Sequence, residues 1–225
     1  MSFSSRANLL TMGQKINPRG FRIGPVFNWS SRWYADSRTY STLLLADVAL
    51  RRELGLKLKS AGLALVEIER SINKVKVTVH VSRPGVVIGR GGSGLEILKK
   101  LIEGILSKRL KVGQGVKVDI AVEPVKEPNL NATLVANTIA DQLVRRMPHK
   151  RVCNQAVERA ISSGAKGVRI RLSGRINGAE IARREKFQSG TIPLSTIRED
   201  IDFAIAPALT KSGYIGVKVW ICRRS

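Results

Sequence analysis

Apolar residues recur along the first half of the chain with two different periods. A helix ending near Gly62 is predicted by apolar residues three or four positions apart, namely Leu43, Ala46, Leu50, Leu54 and Leu58. Apolar and polar residues then alternate over 64–69, 75–81 and 116–122, which predicts three strands, the first two joined by a turn at 71–73. Between the second and third strands, a glycine-rich stretch leads into a helix with one apolar stripe from Leu95 to Leu106. The first half therefore reads helix, strand, strand, helix, strand.

The second half begins with two helices and continues as strands. Val135, Ile139, Leu143 and Met147 repeat every four residues until Pro148 breaks the pattern. A second helix is predicted from His149 to Ser163, and strands over 168–172, from a turn at 174–178 to about Pro193, and over 214–222. Residues 200–209 are ambiguous, although their alternation favours a strand. Two helices on a mainly antiparallel four-stranded sheet are expected, so the chain is predicted to be a two-domain α+β protein.

Prolines and composition divide the chain into four predicted segments. Residues 1–42 form an N-terminal extension and a basic, aromatic arm, and residues 43–123 form the first domain. A linker at 124–128 contains two prolines, and the second domain follows at 129–225. The first eleven residues are short and carry no long apolar run, so an upstream start codon before Met12 explains them better than a targeting sequence.

The charge of the chain points to a polyanionic partner. It has 39 lysines and arginines against 17 acidic residues, a formal net charge of +22 and a pI near 11.0. Such an excess attracts nucleic acid at physiological salt. No stretch reaches the roughly 18 consecutive apolar residues of a spanning helix, so we expect no membrane partner.

Residues suited to metal binding or catalysis are sparse. Cys153 and Cys222 are too far apart for a paired zinc motif, and there are only two histidines. The acidic residues of the basic second domain are interpreted as ion-pair partners of the arginines: Glu180, Glu185, Glu199, Asp200 and Asp202. We therefore expect no catalytic residue, metal, cofactor or small-molecule substrate.

The most informative motif is the glycine-rich turn before the second helix. Its glycines formally match a dinucleotide-binding G-x-G-x-x-G, but the two strands before it read as a hairpin, and no acidic residue suited to a ribose follows. Strand, G-x-x-G loop, helix and strand in this order are instead the KH signature, in which the loop clamps the backbone of about four nucleotides. We predict RNA contacts at Gly89, Arg90, Gly91 and Gly92.

Three further basic regions are candidates for RNA contact. In the arm, cations alternate with aromatic rings that stack on bases, cover the neighbouring domain or do both. The candidates are Lys15, Arg19, Arg22, Trp29, Arg32 and Trp33. One face of the first strand of the second domain is cationic, and the charge continues beyond it through Arg169, Arg171, Arg175, Arg183 and Arg184. A third cluster surrounds a helix start, where the macrodipole disfavours cations, and consists of Arg145, Arg146, Lys150 and Arg151.

Motifs from Met12 to Arg223 resemble, in order, the bacterial branch of the family of the third small-subunit ribosomal protein. They are MGQKINP at 12–18, WSSRWYA at 29–35, RPGVVIGRGG at 83–92, GAKG at 164–167, SGR at 173–175, GAEIAR at 178–183 and GVKVWI at 216–221. The resemblance implies a type II KH domain followed by an α+β domain. It also implies binding to small-subunit rRNA and to neighbouring proteins of the subunit head, in a cytoplasmic ribosome rather than that of an organelle.

The resemblance further implies a place where mRNA enters the subunit. In the family, basic residues of the helix predicted here from 149 to 163 line that channel, and Lys150 and Arg151 match them, next to Arg145 and Arg146. This chain departs from the family at Asn154 and Gln155, where bacterial relatives usually carry positive charge. Two alternatives remain open: a nucleic-acid enzyme such as a lysine-dependent DNA lyase, and a free KH-type regulator of mRNA.

Overall fold

The computed structural model describes residues 15–71, 74–110 and 117–224. The predicted extension at 1–11, most of the turn predicted at 71–73 and the predicted first strand residue Val116 lie outside these ranges. The first half contains α1 (Pro18–Phe21), β1 (Ser31–Arg32), α2 (Ser37–Lys57), β2 (Leu63–Arg70), β3 (Lys74–Val81), α3 (Pro84–Ile88), α4 (Ser93–Leu110) and β4 (Lys117–Pro124). The second half contains α5 (Ala132–Val144), α6 (His149–Ser162), β5 (Gly167–Gly174), β6 (Arg183–Gly190), β7 (Ile201–Thr210) and β8 (Gly213–Cys222).

The first domain has the predicted order of helices and strands, with one addition, the short helix α3 between β3 and the glycine loop. Its sheet runs β1-β2-β3-β4, with β2 and β3 as an antiparallel hairpin and β4 parallel to β3. Apolar side chains of α2 and α4, such as Leu50 and Ile102, share a buried core with the valines of β3. This packing presents the loop between α3 and α4 at the surface.

The helix α2 begins at Ser37, six residues earlier than the apolar period predicts and inside the segment expected to be arm. Its first turn is closed by backbone bonds from Thr39 and Tyr40 to the Asp36 carbonyl. Most side chains there are exposed, so this turn leaves no apolar signal in the sequence.

The second domain is a four-stranded antiparallel sheet of order β6-β5-β8-β7. The ambiguous segment after residue 200 is a strand, as its alternation favours. Val168, Ile170 and Leu172 of β5 are fully buried in the core shared with α5 and α6. The helices cover this face of the sheet and leave the other face open.

The arm packs on both domains. Arg22 is completely buried, and its guanidinium donates to backbone carbonyls of the segment before β7, including those of Thr196 and Glu199, each at 2.7 Å. Trp33 Nε1 donates to Asp47 Oδ2 of α2 at 2.8 Å. The arm therefore connects the two domains, in agreement with the interpretation in which its rings cover a neighbouring domain.

Candidate nucleic-acid interface

The glycine loop is a tight connection between α3 and α4. Gly89 has φ +70° and ψ −178°, and Gly91 has φ +62° and ψ +18°, which are conformations that favour glycine. A Cβ on Gly94 would lie 2.3 Å from the Val87 carbonyl oxygen, so α4 starts directly against α3. Arg90 is exposed at the tip of the loop, directly before the start of α4.

An apolar surface lies beside this loop. Val86 and Ile88 of α3 are 57% and 40% exposed, whereas Val87 between them is buried in the core. A cationic loop next to exposed aliphatic side chains suits a nucleotide strand, because the phosphates meet the loop and the bases meet the apolar surface.

The structure distributes the predicted arm residues among three environments. Trp29 is 66% exposed, and Lys15 is exposed as well. Arg19 lies over the ring of Phe27, with 5.3 Å from its guanidinium carbon to the centroid. Trp33 is partly buried and contacts Tyr40 with 5.4 Å between ring centroids. Of the two tryptophans predicted to contact RNA, Trp29 is thus the one open to a base.

Two arm arginines have protein partners. Arg32 pairs with Glu67 at 2.9 Å and Glu69 at 3.3 Å, so its charge is largely compensated within the protein. Arg22 was predicted to contact RNA, and the structure corrects this prediction because no part of its side chain reaches solvent. Five bonds to backbone carbonyls engage its guanidinium inside the protein, to Pro18, Pro193, Leu194, Thr196 and Glu199.

The junction of α5 and α6 gathers the four predicted cations. Arg145 caps α5, Arg146 follows with φ +60°, and Lys150 and Arg151 occupy the first turn of α6. All four are exposed, and none has a carboxylate oxygen within 4.0 Å in the described part of the chain. The helix start carries no acidic residue that would offset the repulsion between cations and the macrodipole.

A buried histidine holds the start of α6 in place. His149 Nε2 lies 2.9 Å from Glu185 Oε2 of β6, and its Nδ1 lies 3.1 Å from Asn177 Oδ1. The neighbouring Lys150 points its charge outward from this anchored turn, where it is exposed. Sequence reasoning missed this role of His149, because the partners lie 28 and 36 positions away in the chain.

The open face of the second sheet carries a row of three cations. Arg171 of β5 is directly opposite Lys186 of β6 on one side and Lys218 of β8 on the other. Like charges directly opposite each other destabilise a sheet, and among the described residues none of the three pairs with a carboxylate within 4.0 Å. This arrangement is therefore suited to an external polyanion.

Aromatic rings lie next to this row. Arg169 is opposite Trp220 in the register, and Trp220 is 5.1 Å from Phe203 between ring centroids. Both rings are partly exposed. Cations next to such rings suit single-stranded RNA, because the cations attract the phosphates and the rings stack on the bases. The sequence indicated Arg169 and Arg171, but it missed Lys218 and Trp220 because their proximity depends on strand register.

The remaining predicted arginines lie at the far end of the same sheet. Arg183 and Arg184 open β6 and are exposed. Arg175 is also exposed, and its Nε donates to the Ala179 carbonyl at 2.8 Å, which fixes the turn before β6. They extend the cationic area beyond the three-cation row.

The acidic residues of this domain mostly have structural partners. Glu199 accepts from Lys166, and this hydrogen bond lowers the pKa of the Glu199 carboxyl. Asp202 accepts from the Ala132 amide at 2.9 Å and lies near Arg223, while Glu185 holds His149. The sequence predicted arginines as the partners of these acids. In the structure the partners are an arginine, a lysine and a histidine.

The described residues contain no group of three or more histidines, cysteines or acids arranged to hold a metal ion. No helix among them is both long and apolar enough to cross a bilayer.

The fold and its cationic surfaces define a KH-type RNA-binding protein with an additional α+β domain. A family model described as "KH domain" matches residues 49–130, and one described as "Ribosomal protein S3, C-terminal domain" matches residues 139–221. The chain belongs to the ribosomal protein S3 family.

Curated relatives cover almost the whole chain. The small ribosomal subunit protein uS3 of Desulforamulus reducens is 46% identical over 93% of this chain and 91% of its own length. The uS3 proteins of Hydrogenovibrio crunogenus and Desulforudis audaxviator are 47% and 46% identical over 93% and 94% of this chain and 89% and 94% of their own lengths. The similarity therefore extends across both domains.

Proposed function

We propose that this protein is a structural constituent of the small ribosomal subunit head that binds rRNA and lines the path by which mRNA enters. Its relatives are named small ribosomal subunit proteins. Membership of their family supports a ribosomal, RNA-binding role. The exposed cations of the glycine loop, of the α5–α6 junction and of the open sheet face are our candidates for the RNA contacts. We also propose that this ribosome is cytoplasmic and that the protein has no catalytic role.

The glycine loop is proposed to contact the RNA backbone. Changing Arg90 and Gly91 together to Asp places negative charge against phosphate while leaving the α4 core stripe intact. We expect the variant to co-sediment poorly with the small subunit. Unchanged assembly and RNA binding would show that the loop is not an RNA clamp.

The contact with mRNA is supported by one observation above all, the uncompensated charge at the start of α6. Lys150 and Arg151 are exposed there without an acid in the same turn. We expect Lys150→Gln with Arg151→Gln to leave assembly intact and to slow translation of mRNA with a stable hairpin more than translation of unstructured mRNA. Equal effects on both mRNAs would remove these residues from the mRNA path.

Two other functions are distinguished by direct assays. A lysine-dependent lyase would cleave abasic DNA with turnover, and a free regulator would crosslink in cells to mRNA without rRNA. We expect purified protein to leave abasic DNA intact and cellular crosslinks to contain mainly small-subunit rRNA. Either opposite result would contradict the proposal.

A further inference from the structure

A further basic groove lies between the two domains, adjoins the α5–α6 junction at Arg145 and is closed on one side by the arm. Its volume is about 1260 Å³, above the roughly 300–1,000 Å³ typical of small-molecule sites. It is lined by residues of the arm, of α2 and β2, and of α5 and α6. Six cations line it, namely Arg19, Arg51, Lys59, Arg83, Arg145 and Arg159, against the single acid Asp141.

Most of this charge is uncompensated. Lys59 lies 3.4 Å from Asp141, which accounts for the acid. None of the five arginines has a carboxylate oxygen within 4.0 Å in the described part of the chain. Arg51 is oriented by donating to the Ser30 carbonyl at 3.1 Å and the Ser31 hydroxyl at 2.7 Å, both of them uncharged acceptors. Converging cations of this kind repel one another until an anion enters.

The groove also offers groups that recognise bases. Trp29 lines it and is 66% exposed, so its ring faces are open to stacking. Several side-chain amides line the same space, and in the described part of the chain no hydrogen bond engages the side chains of Asn28, Asn137, Gln142 and Gln155. Amide groups match the donor and acceptor edges of unpaired bases.

We propose that this groove binds a single strand of RNA, with its phosphates against the arginines and a base stacked on Trp29. The inference rests on the RNA-binding function proposed above and adds a site that joins both domains. A single strand is required because in a duplex the base faces are stacked on one another and the Watson–Crick edges are paired, so the indole ring and the amides cannot reach them. An acidic protein segment would satisfy the arginines and bond to the amides, but its carboxylates would leave the indole ring without the stacking partner that a base supplies.

The test compares two variants with the same change in charge. Arg83→Gln with Arg159→Gln removes two exposed groove cations that take part in no side-chain hydrogen bond among the described residues. Arg198→Gln with Arg224→Gln removes two exposed arginines outside the groove. A labelled single-stranded oligouridylate is titrated against the full chain at several salt concentrations, and circular dichroism confirms that each variant is folded.

We expect the groove variant to bind about tenfold more weakly, and the slope of log K against log salt to become shallower by about 1.4. The outside pair should lose much less affinity. Trp29→Leu should also weaken binding, whereas Trp29→Phe should retain most of it, because stacking needs a ring. Equal losses for both pairs, or no loss with Trp29→Leu, would overturn the groove as an RNA site.

Crosslinking in assembled subunits identifies the occupant. A Trp29 crosslink to RNA supports the proposal, and sequencing then decides between rRNA and mRNA as its source. A Trp29 crosslink to a protein overturns it. If the unaltered chain bound neither RNA nor the small subunit, the proposed function itself would be wrong. If the unaltered chain bound RNA but both variant pairs lost affinity equally, only the groove proposal would be wrong.

Discussion

Asp47 and Arg70 form a buried ion pair that ties α2 to the end of β2. The Asp47 side chain is fully shielded from solvent and that of Arg70 is 7% exposed. Arg70 donates through both Nε and Nη2 to Asp47 Oδ1, and the second oxygen, Oδ2, accepts from Trp33 and Ser31. One carboxylate therefore holds together the helix, the strand and the arm.

Breaking this pair should destabilise the first domain strongly. Arg70→Met leaves the Asp47 carboxylate buried without its cation, and we expect a loss of about 3–5 kcal/mol in the free energy of unfolding. Lys74→Met is the control, because its pair with Asp119 is exposed and solvent screening leaves it little effect on stability. Urea denaturation of both variants measures the difference, and equal losses would contradict the assignment.

Two glycines of α4 should respond in opposite ways to alanine. Gly94→Ala places a Cβ against the Val87 carbonyl oxygen, and we expect a loss of about 2–3 kcal/mol together with a distorted glycine loop. Gly104→Ala meets nothing within 4 Å and should raise stability by about 0.5–1 kcal/mol. Thermal denaturation measures both changes; tolerance of Gly94→Ala would show that α3 and α4 are not in such close contact.

Lys218→Gln should have opposite effects on stability and on RNA binding. It removes a like charge opposite Arg171, so stability should stay level or rise by about 0.2–1 kcal/mol. RNA affinity should fall, with the salt slope shallower by about 0.7. Lys211→Gln, an exposed lysine in the turn after β7, should change neither property. A fall in stability with no change in affinity would exclude the open sheet face as an RNA surface.

Arg22→Lys should loosen the contact of the arm with the second domain. A lysine cannot reproduce five bonds to separate carbonyls, so we expect a loss of about 2 kcal/mol or more. Hydrogen exchange should accelerate in 18–27 and 193–199, while the salt dependence of RNA binding stays the same. Weakened RNA binding without faster exchange would return Arg22 to the RNA-binding set.

The two thiols should reduce stability at high pH. Burial raises the pKa of Cys153 from 9.0 to about 12 and that of Cys222 to about 11. The unfolded chain therefore releases these protons first, and the free energy of unfolding should fall as pH rises from about 9 through 11. A Cys153→Ser and Cys222→Ser variant should show a smaller fall over this range in denaturation curves. Fast reaction of the folded protein with a thiol reagent at pH 8 would contradict it.

The periodic pattern was sufficient for the order of elements but not for every boundary. Helices and strands of both domains follow it, because an element that covers a core repeats its apolar residues at its own period. The first turn of α2 has no buried face, so Ser37 could not be recognised as its start. The strand β6 spans Arg183–Gly190, shorter at both ends than the strand predicted from the turn at 174–178 to about Pro193.

The candidate site was predictable only where its residues are neighbours in the chain. The glycine loop and the cluster from Arg145 to Arg151 are local, so their chemistry is visible in the sequence. Lys218 became a candidate only through its register opposite Arg171, 47 positions away, because strand pairing brings them together. The interdomain groove likewise depends on how the two domains and the arm pack.

The two-domain α+β fold, the basic character of the chain and the glycine loop were therefore determined by the sequence alone, because the spacing and composition that indicate them belong to residues close together in the chain. Arg22 is an example of what neighbouring residues do not determine. Its sequence context was the same as that of the other arm cations, but folding placed carbonyls around it and excluded it from RNA contact. Which cations remain available to RNA depends on long-range packing, because carbonyl acceptors satisfy the donors of one guanidinium inside the protein, whereas a guanidinium without such acceptors stays at the surface.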